Sequence, residues 1–71
     1  MLELIKSKIK RGLDSFKKGD FNNSKNEFKK VLEIDSNEII SNFYLGVISF
    51  EKNELDKSKT YLFKVISVDE Y

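Results

Sequence analysis

The stretch Gly12-Leu13-Asp14-Ser15-Phe16-Lys17-Lys18-Gly19-Asp20-Phe21 returns 34 residues later as Gly46-Val47-Ile48-Ser49-Phe50-Glu51-Lys52-Asn53-Glu54-Leu55. The same offset pairs Ile5 with Ile39, Ser7 with Ser41, Ser24-Lys25 with Ser58-Lys59, Lys30-Val31 with Lys64-Val65 and Asp35 with Asp69. In all, 11 of 37 overlapped positions are identical. Several mismatches keep the chemistry, among them Leu13/Val47, Phe28/Leu62, Leu32/Ile66 and Ile34/Val68. A fixed period of roughly 20–50 residues marks stacked supersecondary units, each unable to bury its apolar face alone. Such stacks are usually surfaces that hold other molecules.

The pattern inside each copy is helical. Ile5, Ile9, Leu13 and Phe16 fall at spacings that share one helix face, which predicts a helix over residues 2–18. Gly19-Asp20 then reads as a stop and a start, glycine just past one helix end and aspartate as the next N-cap. A second helix follows over about 21–33, with Ser24, Phe28, Val31 and Leu32 on its stripe. Asp35 with Glu38 resembles a capping box ahead of a third helix over roughly 37–51. Asn53 replaces Gly19 at the next hairpin turn, and asparagine tolerates a left-handed backbone better than most residues. The fourth helix is expected over about 54–67.

Gly12 and Gly46 sit inside helices, where glycine costs about 1 kcal/mol relative to alanine. A helix accepts that cost when a neighbour must come close. Ser24 and Ser58, small residues on the partner helices, are the expected other half of each contact, with Phe28 and Leu62 completing the packing.

Taken together these residues resemble the tetratricopeptide repeat family, over essentially the whole chain. Repeat 1 carries Gly12 to Phe21, Ser24, Phe28, Val31-Leu32 and Ile34-Asp35. Repeat 2 carries Leu45-Gly46, Phe50, Asn53-Glu54-Leu55, Ser58, Leu62, Val65-Ile66 and Val68-Asp69. The resemblance implies an all-α fold: four antiparallel helices as two stacked helix-turn-helix repeats in a short right-handed superhelix. The chain is then a single domain, 1–71, with repeat 1 at about 5–38 and repeat 2 at about 39–71. The family's frequent alanine is serine at Ser24 and Ser58, its helix-ending proline is Ser36 and Glu70, and its large first-helix residue is Lys8 and Asn42.

The resemblance also implies function. Family members are generally non-catalytic scaffolds that bind peptides or partner proteins in a concave groove lined by each repeat's first helix. On that basis Ile9, Leu13, Phe16, Phe43, Val47 and Phe50 are expected on the concave side. An apolar groove suits a hydrophobic peptide or an amphipathic helix. The same six residues also suit the core of a compact four-helix bundle, so groove and core both stand. Some relatives clamp the carboxylate tails of heat-shock chaperones with lysines and asparagines. Here those places are Ile9, Leu13 and Tyr44, which excludes that ligand.

Differences between the copies point to where the stack expects a neighbour. Lys6, Lys10, Arg11 and Asp14 of the first helix become Ile40, Tyr44, Leu45 and Ile48 in the third, as a sandwiched helix requires. The fourth helix does the opposite of an end cap. Glu27 and Lys29 are replaced by Tyr61 and Phe63, so Tyr61, Leu62, Phe63 and Ile66 form an expected contact face. Either the chain self-associates there as a homo-oligomer or the stack continues. Isolated exposed aromatics are the ordinary alternative.

Charge and composition bound the rest. The chain is near neutral, with 13 basic and 12 acidic side chains, unlike a dedicated nucleic-acid binder. Residues 1–18 hold six basic side chains against Glu3 and Asp14. That first helix could attract nucleic acid or another acidic partner, or be a solvated cap face. With no cysteine or histidine, thiolate and imidazole chemistry, disulfides and the common zinc sites are excluded, and no cofactor or metal is expected. No carboxylate lies on an apolar stripe and no glycine-rich phosphate loop is present, so an enzyme is not expected. Nothing at Met1-Leu2-Glu3-Leu4-Ile5-Lys6 reads as a signal peptide and no apolar run is long enough to span a membrane, so a cytoplasmic location is expected.

Overall fold

The computed structural model describes residues 1–68, apart from the Val68 side chain. Four helices follow one another: α1 Leu2–Lys17, α2 Phe21–Ile34, α3 Ile39–Glu51 and α4 Leu55–Val68. Each hairpin packs on itself, and α3 packs against α2 as well as α4, so the units stack. The shortest dimension is 17 Å, two helices thick. The expected end of repeat 2 near residue 71 lies outside the described residues.

Both hairpin turns have the same backbone solution. Gly19 takes φ +79° and Asn53 takes φ +64°, the left-handed conformation expected of them. The amides of Asp20 and Glu54 then donate to Ser15 O and Ser49 O, five residues back, at 2.9 and 2.8 Å. Those of Gly19 and Asn53 donate to Phe16 O and Phe50 O. Helices α1 and α3 therefore end with carbonyls of their last turn satisfied and the chain turned back on itself. Asp20 caps α2 as expected, its carboxylate accepting from the Asn23 amide.

The start of α3 differs from the sequence expectation. Glu38, not Asp35, is its N-cap: the carboxylate accepts from Ser41 N at 2.7 Å and from Ile40 N at 3.1 Å. Asp35 instead closes α2 and accepts from Asn37 N. Glutamate is not among the usual N-cap residues, so sequence preference alone favours the shorter aspartate. Asn42 is buried and donates to Ser36 O and Glu38 O, tying the inter-repeat loop to α3.

Phe28 and Val31 of α2 and Leu45 and Ile48 of α3 form the fully buried core. The glycines explain the close approach within each hairpin. A Cβ on Gly12 would stand 2.7 Å from the Phe28 ring, and one on Gly46 would stand 2.6 Å from Leu62. Ser24 and Ser58 complete both contacts, each hydroxyl donating to the facing glycine carbonyl at 2.9 Å. An apolar side chain could fill either slot, but only a hydroxyl adds that bond without adding bulk.

Candidate protein-binding surfaces

None of the six residues expected on the concave side belongs to the fully buried core, and the structure distributes them over three places. Ile9 and Leu13 of α1 line a hollow together with Ile40 of α3, a residue outside the expected set. Phe16 packs inward, 5.2 Å from the Phe21 ring and 5.0 Å edge-on to Tyr44. Phe43 is exposed and Val47 half-buried on α3, and neither lines that hollow. Phe50 lies elsewhere altogether, at the far end beside α4.

The hollow between α1 and α3 also gathers charge. Lys6, Lys10 and Lys17 border it, with Asp14 the lone acid, 3.6 Å from Lys10. The apolar positions and the basic helix, which read as separate features in sequence, thus share one site. The reason is periodicity: residues 6, 10, 13 and 17 follow one another on a single helix face.

The expected contact face on α4 divides in two. Leu62, Phe63 and Ile66 line an open apolar hollow with Phe50 and Leu55. Phe63 is 67% exposed, Phe50 and Ile66 62% each, and Leu55 48%. Tyr61 does not belong to this face. It is half-buried and turns back toward repeat 1, lining a second hollow with Lys25 and Lys29 of α2 and Leu45 of α3. Positions 61 and 63 lie about 200° apart around a helix, so they face opposite ways. Tyr61 stands in the place of Glu27 because α4 has a neighbour on that side, while the change from Lys29 to Phe63 leaves a ring in water.

Three features bear on the family: a helix hairpin, the small-residue pair Gly12 and Ser24, and a left-handed turn at Gly19. The tetratricopeptide repeat family model matches residues 9–38. That segment resembles one tetratricopeptide repeat. Residues 39–68 reproduce its turn and its glycine–serine contact, so the four helices are consistent with two stacked tetratricopeptide units. Tetratricopeptide repeats generally mediate contacts between proteins. No curated protein and no solved structure matches the chain.

Two further properties concern only the described residues. None of their helices is long and apolar enough to cross a membrane, and no cluster of three or more acidic side chains is placed to hold a metal ion.

Proposed function

We propose that this chain is a non-catalytic scaffold that holds an acidic, amphipathic peptide or helix in the groove between α1 and α3. One observation carries the reading: Ile9, Leu13 and Ile40 form an apolar floor bordered by Lys6, Lys10 and Lys17. Apolar anchors would supply affinity, while the lysines would favour acidic partners and speed their approach. The exposed apolar side chains on α4 carry a second reading, contact with another protein on that face.

Selection of displayed peptides against the whole chain tests the groove. The enriched sequences should combine apolar anchors with acidic flanks. Their binding should fall by at least about tenfold with Leu13→Asp, the weight of one lost apolar anchor. Enrichment that is insensitive to Leu13→Asp overturns the assignment. Binding of a generic DNA duplex that falls steeply with salt, and is lost when Lys6, Lys10 and Lys17 become glutamine, would replace it with nucleic-acid recognition.

A further inference from the structure

The free face of α4 is the second copy of a surface that repeat 1 keeps covered. In repeat 1, Tyr44 of α3 lies against Phe16 and Phe28, with Phe21 packed beside Phe16 and Ser24 buried below. Tyr44 stacks on Phe28 with centroids 5.4 Å apart and meets Phe16 edge-on at 5.0 Å. Beside it Leu45 and Ile48 are buried to 1% exposure. Shifted by 34 residues, the covered set becomes Phe50, Leu55, Ser58 and Leu62. All four line the open hollow of ≈ 610 Å³, together with Lys59, Phe63 and Ile66.

We propose that this hollow docks one amphipathic helix of a partner protein, built on the pattern of α3: an aromatic residue, leucine immediately after it, and isoleucine three residues beyond the leucine. The warrant is internal. The molecule already shows which element fits a surface of this shape, and the small slot at Ser58 and the large ones at Phe50, Leu55 and Leu62 repeat that surface in order. One difference refines the occupant. Lys29 of repeat 1 shares a hollow with Leu45 and Ser49, and its counterpart is Phe63. The docking helix should therefore be apolar where α3 has Ser49.

A second copy stacked head to tail does not meet these demands. At the positions of Ile40, Tyr44, Leu45 and Ile48 its first helix would offer Lys6, Lys10, Arg11 and Asp14. Burying those charges against Phe63 and Ile66 would leave them without partners, which is strongly unfavourable. The proposal shares the scaffold reading but not its site, so it stands or falls independently of the α1–α3 groove.

The probe is a fluorescent peptide with the sequence of residues 38–52, altered to Phe43→Gln, Gly46→Ala, Val47→Gln, Ser49→Leu and Phe50→Gln for solubility, helicity and fit. Anisotropy titration against the whole chain should show saturable binding. Affinity should fall at least about tenfold with Phe63→Lys in the protein, or with Tyr44→Lys and Ile48→Lys in the peptide, the weight of one or more lost anchors. Leu13→Asp should leave it unchanged, which separates this site from the groove. Circular dichroism should report an intact fold for Phe63→Lys, since that side chain is exposed. Absence of binding overturns the proposal, as does binding insensitive to Phe63→Lys, which would mean exchange with the internal α3. A mass that doubles with concentration and reverts with Phe63→Lys overturns it too, by making a second copy the occupant.

Discussion

In repeat 1 the ring of Phe28 is sealed, with Gly12 beneath it and Tyr44 stacked above. Its counterpart in repeat 2, Leu62, sits over Gly46 in the same way but keeps its far side open to the hollow lined by Phe50 and Phe63. The two hairpins share their glycine, their serine hydrogen bond and their left-handed turn. They differ in whether another helix arrives on top. A contact inside a hairpin is thus a local matter, while the use of its outer face depends on the next helix in the stack.

Truncating the two equivalent side chains is the strongest way to break this comparison. Phe28→Ala should cost about 3–5 kcal/mol, because the site is closed on all sides and cannot collapse. Leu62→Ala should cost about 1–2 kcal/mol, since part of that side chain is already in water. Urea unfolding of both variants measures the difference, and equal losses would mean that repeat 2 is as closed as repeat 1.

Adding a methyl at the two glycines is a finer probe. Gly12→Ala drives Cβ into a ring that has nowhere to go, and such overpacking should cost about 1–3 kcal/mol. At Gly46 the clash is as close, but Leu62 borders open space. There Leu62 must change rotamer to clear its Cγ, and the helix-propensity gain of about 1 kcal/mol should offset part of that strain and leave a smaller loss than at Gly12. Matching melting temperatures for the two variants would refute the contrast.

The smallest effect is expected on α4. Phe63→Lys should change stability by less than about 0.5 kcal/mol, as surface substitutions do. Tyr61→Lys, two residues away but turned toward α2, should cost about 1–2 kcal/mol through lost burial. Thermal melts of the pair test this, and a larger loss for Phe63→Lys would place that ring inside the fold.

Much of the fold is legible in the sequence. Gly19 and Asn53 announce their turns, because few residues adopt positive φ cheaply. Gly12 with Ser24, and Gly46 with Ser58, announce close contacts through their recurrence. The cap of α3 is not legible in this way, because a long carboxylate at Glu38 folds back where a short one at Asp35 is expected. The groove is only half legible: Ile9, Leu13 and the lysines beside them can be read from the periodicity of α1, but the approach of Ile40 cannot. Periodicity assigns a side chain to a face of its own helix and says nothing about which other helix approaches that face.

The sequence by itself determined the helices, their turns and the paired repeat. Each depends on backbone preferences and on a spacing that recurs within a single segment. Tertiary structure alone decided that Tyr61 turns inward while Phe63 turns out, that Phe50 leaves the groove to sit beside α4, and that Ile40 arrives from α3 to join Ile9 and Leu13. Those outcomes depend on neighbours brought close from distant positions in the chain, because burial belongs to the assembled surface and not to the residue that forms it.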